Sequence, residues 1–496
     1  MMWSMTSGNI RLRSAPGRWV LLTTVLGSGM ATLDGTVVNV ALPALGRDLH
    51  AGMSGLQWTV NAYTLTMAAL ILLGGSLGDR LGRRKVFVAG VVWFALASAL
   101  CGAAPNTPVL VLARALQGIG GALLIPGSLA IIQASYVPDD RPRAVGAWSG
   151  LGGVAAALGP LLGGWLVETA GWRWVFLLNL PLAAVVVGVA ARHVPETRDA
   201  GPHGRFDVLG TVLAAPALAG LTYGLILAGD GLVPLAAGLL LAACFVVVEI
   251  RRSPRSLVPV GVFASREFTA VNVVTLVMYA AMGLVFFLLV VQLQVSAGFS
   301  PVAAGSAMLP VTILMLLLSP RAGELARRVG PRLPMTGGIF LCAAGLLLMS
   351  RIAPNSSYLS DVLPSAVVFG LGLSAAVAPL TATVLSTAEE RYAGVASGIN
   401  NALARTGGLL AVAAVPPLVG LAGDAYDSPA AFTRGFHTSM LVGAAMMAVA
   451  AVVTFVTIRT NVLAAASEPP APGCPVDAPP LDPRPPRSSG TRPAAS

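Results

Sequence analysis

Long apolar runs separated by short polar segments are the dominant pattern of this 496-residue chain. A membrane-spanning helix needs about 20 predominantly apolar residues, because it must cross about 30 Å of hydrocarbon. The pattern predicts an all-α integral membrane protein with fourteen transmembrane helices. The predicted segments are 19–41, 56–77, 86–104, 109–132, 144–167, 174–191, 207–228, 231–250, 268–293, 302–319, 333–352, 361–386, 394–421 and 436–458. The first is too long for a cleaved signal peptide and contains an acid, so it is interpreted as a retained helix.

The composition agrees with a membrane environment. Hydrophobic residues make up 55% of the chain and charged residues 10%, whereas a soluble domain is about one-quarter charged. The net charge of +10 therefore needs no nucleic-acid partner. Four cysteines and four histidines are scattered without ligand spacing, so no metal site is predicted.

Nucleotide hydrolysis is excluded as a direct energy source. A phosphate-binding loop needs a lysine after its second glycine, and the only lysine, Lys85, follows Arg84 and precedes Val86. We therefore expect no nucleotide and no cofactor, and we expect an ion gradient to drive any transport. The chain also offers no catalytic residues.

The basic residues predict the orientation. With the N-terminus inside, 22 Lys or Arg residues fall in cytoplasmic segments and 4 in outer loops. Lys and Arg concentrate in cytoplasmic loops of membrane proteins, so both termini are predicted to be cytoplasmic. Thirty arginines against one lysine, with abundant Ala, Gly and Pro, indicate a GC-rich bacterial genome. The expected location is therefore the bacterial cytoplasmic membrane.

The chain repeats itself at an offset of 248 residues. GSLGDRLGRR (75–84) aligns without gaps to GELARRVGPR (323–332), and RAVGAWSG (143–150) echoes RYAGVASG (391–398). The offset corresponds to eight predicted helices, which fits two six-helix halves separated by two extra helices. The predicted units are an N-terminal six-helix bundle (1–192), a central linker (193–266) with extra helices at about 207–250, a C-terminal six-helix bundle (267–460) and a proline-rich, disordered cytoplasmic tail (461–496).

Several motifs resemble the major facilitator superfamily, and in particular its fourteen-helix drug:proton antiporter branch. They are GSLGDRLGRR, LDGTVVNVALP (33–43), RALQGIGGA (114–122), GPLLGG (159–164) and GWRWVFLLNLP (171–181). The resemblance covers roughly residues 15–460. It implies the major facilitator fold, whose halves are parallel repeats about an axis along the membrane normal. It also implies proton-driven export of hydrophobic or amphipathic drugs by alternating access.

The same resemblance assigns roles to particular positions. Residues of the loop between helices 2 and 3 would gate the conformational change: Gly75, Asp79, Arg80, Gly82, Arg83 and Arg84. Residues of helix 5 would form the antiporter motif: Gly159, Pro160, Gly163 and Gly164. Ala155 stands where that motif usually has glycine, and Arg327 replaces the carboxylate of Asp79 in the second half, so no gating role is expected there.

Asp34 and Arg114 are the candidates for proton coupling. At 1.5 Å per residue, they lie about 10 Å and about 8 Å from the outer ends of helices 1 and 4. Buried charges at such depth are costly unless they are paired or hydrated, so both are expected to face protein or a cavity. An apolar stripe is expected to face lipid instead: Leu22, Leu26, Leu33, Val37 and Val40. The alternative to a proton site is a structural ion pair that joins helices.

The candidate substrate cavity rests on helical spacing. Gln57 and Asn61 lie at i, i+4 on helix 2, and Asn272, Tyr279 and Phe286 follow one face of helix 9. Interhelical hydrogen bonding is the competing explanation for each of them. Arg405 lies near the midplane of helix 13, where it either contacts substrate, balances a buried acid or extends along its helix. Asp79 either caps the next helix or binds arginines across the inner gate, with Arg83 as a plausible partner.

Two other functions compete with drug export. A proton-coupled uptake carrier for a small metabolite would use the same fold, but GPLLGG argues against it. A lipid-modifying membrane enzyme would need acids, histidines or a nucleophile clustered near one interface. Asp34 is the only acid well inside an apolar run, and no histidine lies well inside one. The expected partners are therefore a small amphipathic molecule, protons and the lipid bilayer.

Overall fold

The computed structural model describes residues 10–198, 208–252, 260–387, 393–423 and 428–465. Within them the fold is helical, apart from one isolated bridge between Ile10 and Tyr136. Residues 466–496, which form most of the predicted disordered tail, lie outside the described residues. Parts of the predicted central linker, 199–207 and 253–259, lie outside them as well.

The N-terminal part of the chain forms seven helices. They are α1 (Ala15–Leu49), α2 (Met53–Leu81), α3 (Arg83–Gly102), α4 (Thr107–Ser135), α5 (Arg141–Thr169), α6 (Arg173–Leu177) and α7 (Asn179–His193). Side-chain caps fix where some of them begin. Ser14 accepts a hydrogen bond from the Gly17 amide, and Asn106 accepts one from the Val109 amide. Each cap satisfies one backbone donor that the first turn of a helix leaves without a partner.

Ten further helices follow in the described residues. They are α8 (Val208–Leu227), α9 (Leu232–Arg252), α10 (Arg266–Val295), α11 (Pro301–Ser306), α12 (Leu309–Val329), α13 (Arg332–Met349), α14 (Leu363–Thr387), α15 (Ala393–Leu418), α16 (Pro429–Thr457) and α17 (Val462–Ala465). A short π-helical turn, Tyr358–Val362, leads into α14.

Twelve stretches of the described residues are long and apolar enough to cross a membrane. One of them, Leu209–Arg252, contains both α8 and α9, which pack against each other. The long helix α15 is not among the twelve. The predicted all-helical architecture with many membrane spans is confirmed.

The helix ends define two faces of the bundle. The basic face carries the α2–α3 turn at Gly82 and the α12–α13 turn at Gly330. Both glycines have positive φ, 113° and 86°, which a side chain would strain. The opposite face carries the α1–α2 and α15–α16 turns, where Gly52 lies close to Gly423.

The space between the two parts of the bundle is closed at the opposite face. There, the Gln57 amide donates to the Val412 carbonyl over 2.6 Å, and the Gln294 amide donates to the Val40 carbonyl over 3.0 Å. Nearer the basic face, α5 has few neighbours among the described residues. A Cβ added at Gly146, Gly150, Gly152 or Gly153 would meet no atom within 4 Å. This part of α5 therefore lacks close neighbours on the sides that these glycines face.

Candidate functional site

A buried ion pair joins α1 to α4. The Arg114 guanidinium donates to Asp34 Oδ2 over 2.5 Å. Asp34 is 0% exposed and Arg114 is 1% exposed, so both side chains are buried inside the protein. The sequence placed this acid and this base at similar depths on two helices, and the structure brings them into direct contact.

Two amide side chains bind the other oxygen of the same carboxylate. Gln117 on α4 donates to Asp34 Oδ1 over 2.8 Å, and Asn179 on α7 donates to the same oxygen over 2.9 Å. Both amides also donate to the Ser98 hydroxyl on α3, at 3.1 and 2.9 Å. The Ser98 hydroxyl donates a hydrogen bond to the Phe176 carbonyl over 2.9 Å. The network therefore connects α1, α3, α4, α6 and α7 around one carboxylate.

The guanidinium of Arg114 has further partners. It donates to the Thr59 carbonyl of α2 over 3.0 Å and to the Gln117 amide oxygen over 2.6 Å. Its carbon lies 4.4 Å from the centre of the Tyr63 ring, a cation–π distance. A buried ion pair is tolerated only when further hydrogen bonds satisfy its remaining donors and acceptors. This arrangement meets that requirement.

The sequence predictions did not include Gln117, Asn179 or Ser98. The sequence carries a signal for two of them. Gln117 lies three residues after Arg114, on the same helical face, and Asn179 lies inside GWRWVFLLNLP. An intramembrane amide one turn from a charged residue was the available signal. Ser98 carries no comparable signal, because nothing near it in sequence is polar.

The predicted lipid-facing stripe of α1 is wrong for three of its five residues, whereas Leu22 is 40% exposed. Leu33, Val37 and Val40 are all buried. Helix α1 packs against α4, α5, α7 and α10, so these three side chains lie among neighbouring helices. An apolar stripe in a central helix is core, and periodicity alone does not distinguish protein from lipid.

A central cavity of about 230 Å³ lies beside the ion pair. Arg114 and Arg405 both line it, together with the polar residues Thr32, Thr36, Tyr63 and Thr64. Arg405 is half-buried, and its guanidinium donates to Asn401 Oδ1 over 3.1 Å. No acid lines this cavity among the described residues. Its fixed positive charge comes from two arginines on opposite sides of the bundle.

The other candidate cavity residues are not gathered in one pocket. Gln57 is 2% exposed and hydrogen-bonds across the closed face, as described above. Asn61 is 1% exposed, and both polar atoms of its amide have no hydrogen-bond partner among the described residues. Tyr279 and Phe286 are half-buried against the core of the C-terminal part. Asn272 bonds to Asn400 on α15 and lines a different cavity.

The loop between α2 and α3 has local ion pairs. Arg83 pairs with Asp79 at 2.7 Å, and both lie next to Gly82, where α2 ends. Arg84 pairs with Glu196 and donates to the Val194 carbonyl, so the segment after α7 holds the loop. In the equivalent loop of the second repeat, Glu324 binds Arg327 and Arg328. Gly75 lies deeper, at van der Waals distance from Pro126.

The glycines of the α5 motif allow close backbone contacts. A Cβ at Gly159 would lie 2.0 Å from Thr36 Oγ1, and one at Gly163 would lie 3.0 Å from the Val37 carbonyl, both on α1. Gly164 faces α11, where a Cβ would lie 2.6 Å from the Pro301 carbonyl. Gly305 of α11 approaches the Pro160 carbonyl in return. Gly164 and Pro160 therefore lie at the seam between α5 and α11 at the opposite face, whereas Gly159 and Gly163 hold α5 close to α1.

Comparison with known proteins agrees with this architecture. The puromycin resistance protein of Streptomyces alboniger is 36% identical over 471 residues, covering 91% of this chain and 93% of that protein. The multidrug resistance protein Stp of Mycobacterium tuberculosis H37Rv is 34% identical, covering 77% and 72%. The tetracenomycin C resistance and export protein of Streptomyces glaucescens is 36% identical, covering 82% and 77%.

Solved structures agree on the fold. The peptide transporter POT in complex with sulfate superposes with a TM-score of 0.67 at 15% identity, covering 91% of this chain and 98% of that chain. A bacterial homologue of the lysosomal transporter Spinster, inward-facing and unoccupied, gives 0.64 at 15% identity, covering 92% and 100%. The family model described as Major Facilitator Superfamily matches residues 24–412. The chain belongs to the major facilitator superfamily of membrane transporters.

Proposed function

We propose that this protein is a proton-driven antiporter that exports hydrophobic or amphipathic drugs and antibiotics across the bacterial cytoplasmic membrane. The observation that carries the proposal is the Asp34–Arg114 pair at the wall of the central cavity. The names of the relatives, which include resistance and export proteins, support the substrate class.

The pair suggests how protons and substrate are coupled. While Asp34 is ionised, it holds the Arg114 guanidinium, which lines the cavity. Protonation of Asp34 removes the attraction, and Arg114 becomes an unpaired cation facing the cavity. A bound cationic substrate would then be repelled, and loss of the proton would restore the pair. Proton binding and substrate binding would thereby oppose each other, as antiport requires.

The conformational cycle has support at both faces. The hydrogen bonds that close the opposite face support an inward-facing conformation when the basic face is cytoplasmic. We infer gating roles for Gly75, Asp79, Arg80, Gly82, Arg83 and Arg84, since this loop lies at the basic face, away from the closed one. We infer that Gly159, Pro160, Gly163 and Gly164 serve the other gate, since they hold α5 against α1 and α11.

We also propose fourteen spans, with α8 and α9 as separate crossings between two six-helix halves (1–192 and 267–460) and with both termini cytoplasmic. Helix lengths of 20 and 21 residues for α8 and α9 support two crossings. The turn between them, Ala228–Gly231, contains Asp230 and no basic residue. The 22-to-4 distribution of Lys and Arg supports the orientation.

Reporter fusions test this topology. Fusions at Gly229 and Asp424 are expected to report the outside, and fusions after Arg255 and Arg459 the inside. Alkaline phosphatase and green fluorescent protein serve as the paired reporters, because the first is active outside and the second inside. An inside signal at Gly229 would remove the central helix pair and leave twelve spans.

The substrate class is tested by accumulation in a pump-deficient bacterium. Ethidium and several hydrophobic antibiotics are expected to accumulate less in cells that contain the protein, and a protonophore is expected to abolish the difference. The relatives are named as resistance and export proteins for antibiotics, so sugars and phosphorylated metabolites should be unaffected. Unchanged drug levels combined with proton-dependent movement of a sugar or organic acid would favour the uptake carrier instead.

A further inference from the structure

The α8–α9 hairpin lies across the junction of the two halves. Its helices are tightly paired: a Cβ at Gly220 would lie 2.9 Å from Gly238 Cα, and one at Gly224 would lie 2.6 Å from Leu235. On its other side, α8 packs against both α2 and α15, one helix from each half. The hairpin therefore covers the α2–α15 seam, whereas α5 and α11 form the seam elsewhere in the bundle.

A cavity of about 430 Å³ lies between the hairpin and this seam. We call it the hairpin cavity. Helices α2, α8, α9, α10 and α15 and the segment before α10 line it, and no charged side chain is among its lining residues. Its lining includes two aromatic residues, Phe245 and Phe263, and three polar ones, Thr269, Asn272 and Thr406.

The hairpin cavity shares a wall with the central cavity. On α2, Met67 lines the central cavity while Ala68 and Ala69 line the hairpin cavity. On α15, Arg405 lines the first and Thr406 the second. Leu72 of the shared wall contacts α15 at Gly398, where an added Cβ would lie 2.6 Å from its methyl group. A single helix layer separates the two spaces.

The hairpin cavity lies at the depth of the leaflet beside the basic face. Its α10 residues, from Thr269 to Leu276, belong to the part of that helix nearest the basic face, and Phe263 lies in the segment before α10. The outer surface of the hairpin exposes large apolar side chains, including Val212, Leu239 and Leu240. That surface is suited to lipid contact.

We propose that the hairpin cavity binds the exported compound itself, an aromatic molecule that is neutral or carries one delocalised charge, on its way from the leaflet to the central cavity. The inference rests on the proposed export function. Ligand pockets typically enclose about 300–1,000 Å³ and combine apolar walls with a few polar groups, which is the make-up found here. The rings of Phe245 and Phe263 can stack on an aromatic ligand, a contact that a lipid acyl chain could not match.

Photolabelling tests the proposal. Purified full-length protein in lipid nanodiscs is irradiated with ethidium monoazide, and the labelled peptides are identified by mass spectrometry. Label is expected on peptides containing Ala214–Leu221, Ala242–Phe245 or Phe263–Leu276, and excess ethidium should suppress it. Ala242→Trp, which fills the cavity, is expected to lower this labelling and ethidium export about tenfold, equivalent to about 1.4 kcal/mol of binding.

A matched variant separates occupancy from general damage. Leu240→Trp adds the same ring two residues away, on the exposed face of α9, and is expected to keep wild-type labelling and export. Ala242→Leu should give an intermediate loss of labelling and of ethidium export. If size-exclusion chromatography shows that Ala242→Trp is misfolded, Ala242→Leu is the variant that tests whether the cavity binds the compound. Label confined to α1 and to the segments around Tyr63 and Arg405, with Ala242→Leu unaffected, would overturn the inference and leave the export function standing.

Two further outcomes are decisive. A phospholipid that co-purifies in the hairpin cavity and resists displacement by ethidium would overturn the inference in favour of a structural lipid. Wild-type protein that neither exports nor binds any of the test compounds would overturn the proposed function, and the inference with it.

Discussion

Asp34→Asn is expected to abolish substrate-driven proton exchange while the protein is still made and inserted. Asparagine has nearly the same shape as aspartate, but its side chain cannot take up a proton at physiological pH. Its amide oxygen can still accept hydrogen bonds from Gln117 and Asn179. Arg114 loses its counter-ion but keeps the Thr59 carbonyl, the Gln117 oxygen and the Tyr63 ring as partners. These three partners continue to satisfy the guanidinium at the edge of the central cavity.

The reverse deletion is expected to behave differently. Arg114→Leu leaves the Asp34 carboxylate at a position that is 0% exposed and does not line the cavity. Removing one partner of a buried ion pair typically costs about 3–5 kcal/mol. We therefore expect far less folded Arg114→Leu protein than Asp34→Asn protein, measured as the thermal midpoint of each purified variant. Proton exchange alone would not separate the two, because both should lack it.

Proton exchange is measured in everted vesicles with a pH-sensitive dye after substrate is added. Asp48→Asn is the matched control, since it makes the same change near the exposed end of the same helix. There, Asp48 pairs with Arg173 over 2.6 Å, and an exposed pair contributes only about 0–1 kcal/mol. This control should exchange protons like the wild type. If Asp34→Asn exchanges protons like the wild type, the buried pair has no role in proton coupling and only links the helices.

The sequence predicts the positions of helices and of buried charges better than it predicts their partners. Apolar runs identify spanning helices because the bilayer imposes a minimum length. Helical rise is constant, so it was enough to place Asp34 and Arg114 at similar depths. The amides that complete the site come from Gln117 and Asn179 on separate helices. Their convergence depends on how α4 and α7 pack against α1, which no local pattern encodes.

Polar spacing on one helix face proved ambiguous for the substrate cavity. Gln57 and Asn61 share a face of α2, but Gln57 bonds across to α15 and closes one end of the bundle. Asn272 faces the hairpin cavity, whereas Arg405 faces the central one. The same i, i+4 spacing serves helix association and cavity lining, because both place polar groups on the protein-facing side. Only the packing of the helices distinguishes the two uses.

Gly164→Val is expected to abolish export by preventing closure of the opposite face. Any Cβ at Gly164 would lie 2.6 Å from the Pro301 carbonyl and 2.7 Å from Val302 Cα, and these are backbone atoms that cannot rotate away. Overpacking costs about 1–3 kcal/mol, and here the cost falls only on the conformation in which α5 and α11 touch. The equilibrium would shift by about 5- to 150-fold toward the conformation open at the opposite face.

This shift is measurable apart from transport. Thr32→Cys places a thiol in the central cavity, on a background in which the 4 native cysteines are replaced by serine. A membrane-impermeant maleimide added outside intact cells should label that thiol faster in Gly164→Val than in its parent. Gly188→Val on α7 is the matched control, because a Cβ there would meet no described atom within 4 Å, and it should change neither labelling nor export. If Gly164→Val is labelled and exports like its parent, the α5–α11 contact at Gly164 is not a gate. Opening of the opposite face would then not require α5 and α11 to separate at Gly164.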